Sequence, residues 1–159
     1  MANSFLLTDK EAVMRNLKKI EEENSSIHSD RVNGLMAADY VDCDIDARTV
    51  TIEFQVKPWE LNRAGVLHGG VICTMLDHAA GAALIAFTGG WCPTVDIDVR
   101  FISFGNLGDV LIGTGRIVTA GRRIFHMESS LVDKATSKLV ATSTSTYLNM
   151  LDKSGNQKE

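Results

Sequence analysis

Between Asn62 and Asp77 the chain gathers the side chains best suited to chemistry: an amide at Asn62, a His68-Gly69-Gly70 turn, and one carboxylate, Asp77. From Ala64 to Val99 the only formal charges are Asp77, Asp96 and Asp98, and no Lys or Arg intervenes. A helix carrying one acid among apolar and small residues has no evident structural use for it. A buried ionised carboxylate is costly unless paired or hydrogen-bonded, so Asp77 is a candidate for acid–base or nucleophilic work. At about 100° per residue its helical neighbours are Gly70, Cys73, Thr74, Ala80 and Gly81, small groups that leave room for a ligand or a second backbone. The competing reading is a turn cap or an ion pair in an oligomer interface.

His68-Gly69-Gly70 falls where that helix begins. Helix N-termini present unpaired N–H groups and partial positive charge, suited to a developing oxyanion. Glycine there lets a carbonyl approach the backbone closely, although a turn needing positive φ would use the same residues. Asn62 could donate its amide to that carbonyl, or simply cap a loop. Thr94, beside Pro93 at the start of an alternating segment, offers a hydroxyl that could position water.

Other constellations are weaker. His28, His68, His78 and His126 lack metal-ligand spacing, and no Cys/His cluster exists, so no metal is expected. Asp96-Ile97-Asp98 reads as a pair of surface acids. Gly113-Thr114-Gly115 lacks the third glycine of a dinucleotide fingerprint, and no G-x-S-x-G is present. Arg122 and Arg123 suit a hairpin turn and could also hold phosphates.

The elements that must position these groups follow from the periodicity. The 159 residues suit one domain, and 45% hydrophobic with 23% charged residues is ordinary for a soluble protein. A net charge of −4, without a basic run, argues against nucleic-acid binding. Cys43, Cys73 and Cys92, odd in number and far apart, read as reduced thiols. The longest apolar run, around Val71–Phe87, is broken by Asp77 and His78 and is too interrupted for a membrane span. The N-terminus lacks the pattern of a secretory signal. A cytoplasmic protein is the expectation, with a mitochondrial address as the alternative.

Thr8-Asp9-Lys10-Glu11 has capping-box spacing with Thr8 as N-cap, and Val13, Leu17 and Ile20 then mark one stripe of a helix of about four turns. Gly34–Val56 reads as a hairpin, Pro58–Asn62 as a loop, and Gly69–Phe87 as the main helix, closed by Gly89-Gly90. Four strands follow: Val95–Phe101, Asp109–Thr119, Ile124–Val132 and Leu139–Met150. One long apolar helix followed by antiparallel strands implies an α+β fold with the sheet curled around that helix. A helix apolar nearly all round needs cover on every side, so a second chain is expected to close the core. Residues 1–32 read as an N-terminal helical extension, 33–151 as the domain, and 152–159 as a polar tail.

On the pattern Asn62-x-x-Gly65-x-x-His68-Gly69-Gly70-x(6)-Asp77 and this element order, the chain resembles the hotdog-fold thioesterases, in their phenylacetate-pathway and human-type branch. The likeness runs from about Gly34 to Met150. It implies a curved antiparallel sheet wrapped around a central helix, and a homodimer that pairs again as a dimer of dimers. It also implies an acyl-CoA substrate and hydrolysis without a cofactor. The site would lie at the dimer interface, Asp77 of one subunit facing Asn62, His68 and Gly69 of the other. Gly69 N–H and Asn62 would polarise the thioester carbonyl, and Asp77 would serve as general base or as nucleophile. Human-type relatives have Ser where Thr94 stands, and many have proline near Phe104. Arg100, Arg122 and Arg123 are the candidates for coenzyme A contacts. A non-catalytic acyl-CoA sensor is the alternative. The dehydratase branch of the fold fits less well, because His78 points about 100° away from Asp77 around the helix.

Overall fold

A computed structural model describes residues 6–151. After Asp9 comes helix α1, Lys10–Ser25. Its N-cap is Asp9, one residue later than the capping box predicts. The Asp9 carboxylate accepts from Glu11 N–H at 3.3 Å and Ala12 N–H at 3.1 Å. A carboxylate also meets the positive end of the helix, which a threonine cannot match. Val13 and Leu17 are buried and Ile20 packs against the core, as the stripe predicts.

The expected hairpin begins later than Gly34. Val32–Met36 forms a short helix, α2, which Ala37 ends in the left-handed region at φ 44°. Lys57 Nζ donates to the Leu35 and Met36 carbonyls at 2.7 and 2.6 Å, satisfying the end of that turn. Strands β1 (Asp39–Asp44) and β2 (Thr49–Gln55) then form the hairpin. A 3-10 turn at Pro58–Glu60 leads to α3, Gly69–Thr88, capped by Gly89 at φ 74°. Strands β3 (Thr94–Phe101), β4 (Val110–Ala120), β5 (Ile124–Asp133) and β6 (Leu139–Leu148) complete the fold.

The six strands form one sheet in the order β1-β2-β4-β5-β6-β3, every pair antiparallel. Alternate residues of β2, β4, β5 and β6 face α3, among them Ile52, Phe54, Leu111, Phe125 and Met127, all at most 1% exposed. Burying each such side chain stabilises the fold by about 1.5–3 kcal/mol. Gly115 marks the closest approach of sheet and helix: a Cβ there would lie 2.0 Å from the Ala79 carbonyl oxygen. That is the structural use of the Gly113-Thr114-Gly115 run. The helix α1 covers another side of α3, where Asn16 Nδ2 donates to the Ala86 carbonyl at 2.9 Å.

Beyond its first turn, what remains half-exposed on α3 is a stripe of Cys73, Thr74, Asp77, Gly81 and Ile85. The helix is long and apolar enough to cross a membrane, with a mean hydropathy of 1.6, but it is the core helix of this sheet. Strand β3 is a sheet edge, and its apolar side is poorly covered: Val95 and Phe101 are 58% and 57% exposed.

Candidate active site

Two polar clusters flank the uncovered face of α3, one at its N-terminus and one about two turns further on. The first is built by the loop from Leu61 to His68. Asn62 is its organiser: its side-chain oxygen accepts from Ala64 N–H at 2.8 Å and Val66 N–H at 3.4 Å. Gly65 turns the chain at φ +78°, donating to the Asn62 carbonyl at 3.0 Å. The loop-capping role of Asn62 is therefore real, and it is compatible with chemistry. With the oxygen committed to the loop, the Asn62 Nδ2 donor makes no bond among the described residues.

His68 is the N-cap of α3. Its Nδ1 accepts from Gly70 N–H at 2.9 Å, which places the ring proton on Nε2. Its own N–H donates to the Glu60 carbonyl at 2.8 Å. Gly70 N–H is thus consumed, whereas Gly69 N–H has no acceptor among the described residues. That free donor, at the positive end of a 20-residue helix, opens onto a depression of about 340 Å3 lined by Asn62, Leu67, Ile72, Phe101 and Phe104. A Cβ on Gly69 would meet the Phe101 ring at 3.5 Å, so the glycine also keeps the approach wide.

Glu60 is a supporting residue that no spacing in the sequence marks. It is fully buried; one carboxylate oxygen accepts from Lys57 N–H at 2.9 Å and the other is unpartnered. Burial pushes its carboxyl above the usual range, opposed by the Lys57 N–H and ammonium.

The second cluster centres on Asp77. Its Oδ1 accepts from Thr94 Oγ1 at 2.8 Å and from the Tyr147 hydroxyl at 2.6 Å, and the same hydroxyl lies 3.1 Å from the Asp77 carbonyl oxygen. Register explains the convergence, because Thr94 on β3 pairs with Tyr147 on β6, which pairs with Phe125 on β5. Thr94 therefore spends its proton on the carboxylate, where the sequence suggests a role toward water. Burial, then the bond to Asp77 and its charge, push the Tyr147 phenol far above its ordinary value, against the Thr94 and Ser145 hydroxyls. Beside the carboxylate opens a cleft of about 410 Å3, lined by Ile20 of α1, Asn33 of α2, Tyr40, Gly81 and Ile85.

His78 lines the same cleft without joining the Asp77 cluster. Its Nε2 is 2.6 Å from the Tyr40 hydroxyl, which accepts from Asn24 Nδ2 at 2.9 Å. The Tyr40 proton accordingly points to Nε2 and the imidazole is neutral. Burial, weakly opposed by Asp77, lowers the His78 pKa to about 4.

The two clusters do not meet within one chain. Eight helical residues separate Gly69 from Asp77, about 12 Å along the axis, too far for both to act on one carbonyl. Of the arginines, Arg122 and Arg123 sit in the β4–β5 turn, at the same sheet end as Thr94 and Tyr147; the Arg123 carbonyl accepts from Asn149 N–H at 2.8 Å. Arg100 pairs in register with Thr142 on the sheet face opposite α3, and lies 3.7 Å from Asp98.

A family model described as the thioesterase superfamily matches residues 64–140, from the loop before His68 into β6. Over that stretch, just under half of its length, the chain is similar to the thioesterase superfamily. Human acyl-coenzyme A thioesterase 13 is 31% identical over 94 residues, which span 58% of this chain and 66% of the human protein, just under two thirds. The Escherichia coli PaaI protein of the phenylacetic acid degradation operon superposes with a TM-score of 0.74 at 18% identity, over 88% of this chain and 94% of PaaI. That likeness establishes the fold, a hotdog sheet wrapped around a central helix. A Streptococcus mutans protein solved with bound acetyl CoA has a TM-score of 0.65 and 26% identity, over 77% of this chain and 91% of its own.

Proposed function

We propose that this protein hydrolyses acyl-CoA thioesters at a site shared between two copies of the chain. The observation that carries the reading is the pairing of two unspent groups on one helix: a free Gly69 N–H at its start and a fixed Asp77 carboxylate on its uncovered stripe. The match to the thioesterase superfamily, the human acyl-CoA thioesterase relative and the acetyl CoA bound to the streptococcal protein support the substrate class.

In this reading the thioester carbonyl oxygen accepts from Gly69 N–H, seconded by Asn62 Nδ2, with His68 holding the corner. Asp77 of the facing subunit takes a proton from water as the water attacks the carbonyl carbon. The tetrahedral adduct then collapses, the C–S bond breaks, and the proton passes to the departing CoA sulfur. As a nucleophile, Asp77 would instead form a mixed anhydride that water cleaves. A general base contributes about 10²–10⁴-fold and an oxyanion donor about 10²–10³-fold, which is ample for a reactive ester.

Two copies are invoked because one chain leaves its clusters about 12 Å apart and its β3 edge and α3 stripe uncovered. Pairing β3 edge to edge would cover both. A dimer of dimers, and coenzyme A contacts from Arg100, Arg122 and Arg123, extend the same reading. Free-thiol release from acetyl-, hexanoyl-, palmitoyl-, phenylacetyl- and hydroxybenzoyl-CoA, wild type beside Asp77→Asn, tests it. Turnover of at least one member, lost in the variant, is expected. Tight acyl-CoA binding with no turnover would replace hydrolysis with a sensing role.

A further inference from the structure

Tyr147 reaches Asp77 from a strand whose alternation reads as ordinary core. The ring is buried, 2% exposed, between its register partners Phe125 and Thr94. A phenol so placed must satisfy its hydroxyl, and here it does so on Asp77. Each carboxylate oxygen offers two lone-pair sites. Both sites of Oδ1 are filled, by Thr94 at 2.8 Å and Tyr147 at 2.6 Å, while Oδ2 receives no donor among the described residues.

We infer that Tyr147 is a positioning residue for Asp77: with Thr94 it pins Oδ1, so that Oδ2 is the oxygen that meets water or the thioester. The inference rests on the hydrolase reading above. A carboxylate on a helix otherwise swings about its side-chain torsions. Two donors on one oxygen, fixed on adjacent strands, hold both the plane and the facing edge. Gly81, one turn beyond Asp77, borders the phenol: a Cβ there would lie 4.0 Å from the Tyr147 hydroxyl, an ordinary contact. Part of the space that small residues leave on this helix face is therefore occupied by Tyr147. The phenol holds its proton throughout the working pH range, its affinity raised chiefly by burial, and remains a donor. The same geometry serves either role of Asp77, because base and nucleophile alike need one unengaged oxygen aimed into the cleft.

The test compares Tyr147→Phe, Thr94→Val and Asp77→Asn, singly and combined, by steady-state thiol release with the best acyl-CoA of the panel. Tyr147→Phe keeps the ring, so thermal midpoint and assembly report whether the fold is intact. The expected result is a kcat lower by about 10- to 100-fold with KM nearly unchanged, the signature of a displaced reacting group. In the Asp77→Asn background, adding Tyr147→Phe should leave the residual rate unaltered, since the hydroxyl then has no carboxylate to aim. Thr94→Val, at an exposed position where folding is not at stake, removes the other donor to Oδ1 and should show the same split. If Tyr147→Phe does not fold, Thr94→Val alone decides: full kcat overturns the assignment of Oδ2. Full kcat in a folded Tyr147→Phe, with Asp77→Asn inactive, overturns the role of Tyr147 and spares the hydrolase reading. Undiminished turnover in Asp77→Asn, or none in wild type, overturns both.

Discussion

Acid should weaken this fold through His78. The imidazole is 7% exposed, packed edge-on to Phe54, with Nε2 accepting the Tyr40 proton. Charging it would demand that Tyr40 reverse its hydroxyl and accept from both His78 and Asn24. It would also place an ion in the core. The folded pKa is lowered from the ordinary 6.5 to about 4, chiefly by burial. A depressed folded pKa means that the unfolded chain binds the proton first. The stability is therefore whole above about pH 6.5 and is lost progressively as pH falls toward 4. Each tenfold in proton affinity is worth about 1.4 kcal/mol, so the full loss is about 3 kcal/mol. Urea unfolding of wild type and His78→Gln from pH 7 to pH 4 isolates this part, because the carboxylates titrate in both. The wild-type unfolding free energy should fall by about 3 kcal/mol more than the variant's. Equal pH dependence in the two proteins would refute the buried neutral imidazole.

Further expectations concern single residues. Gly115→Ala drives a Cβ to 2.0 Å from the Ala79 carbonyl oxygen; displacing the central helix should cost several kcal/mol, about 3 or more, visible as a large drop in thermal midpoint. Glu60→Gln removes a buried acid whose pKa is raised. The penalty on wild type appears as pH rises above the unfolded carboxyl value, so the variant should gain relative stability from pH 4 to pH 8, as chemical denaturation would show. Asn62→Ala loses both the loop bonds and the Nδ2 donor, and should lower kcat/KM by about 10- to 1000-fold, measured by thiol release.

The sequence makes the scaffold legible where the periods are long and unopposed. The segment Gly69–Phe87 carries a helical pattern with glycine stops, β3 alternates with a period of two, and the turns at Gly105–Gly108, Ala120–Arg123 and Lys134–Lys138 bound the later strands, so those elements emerge nearly to the residue. The helix at Val32–Met36 does not, because five residues hold too little periodicity, and its end is fixed by Lys57, twenty-one residues past Met36. Asp9 rather than Thr8 caps α1: both residue types suit a cap, and the Asp9 carboxylate takes the Glu11 and Ala12 N–H groups. At the site, Asn62, Gly69 and Asp77 are recognisable because unusual residue types share one short stretch. Tyr147 and Glu60 are silent: each resembles its surroundings locally and acquires a role only when the sheet brings it to Asp77 or the 3-10 turn brings it beneath His68. His78, beside Asp77 in the chain, turns out to serve Tyr40, as its angle on the helix implies.

The shared site is tested most directly by mixing two crippled chains, Asp77→Asn and Asn62→Ala, under conditions that exchange subunits. A symmetric pairing gives each mixed dimer one site with both groups intact. Thiol release should then rise with time to about one quarter of wild type, since random exchange makes about half the dimers mixed and each holds one good site of two. Activity that stays at the average of the separate variants after exchange would contradict a site built from two chains.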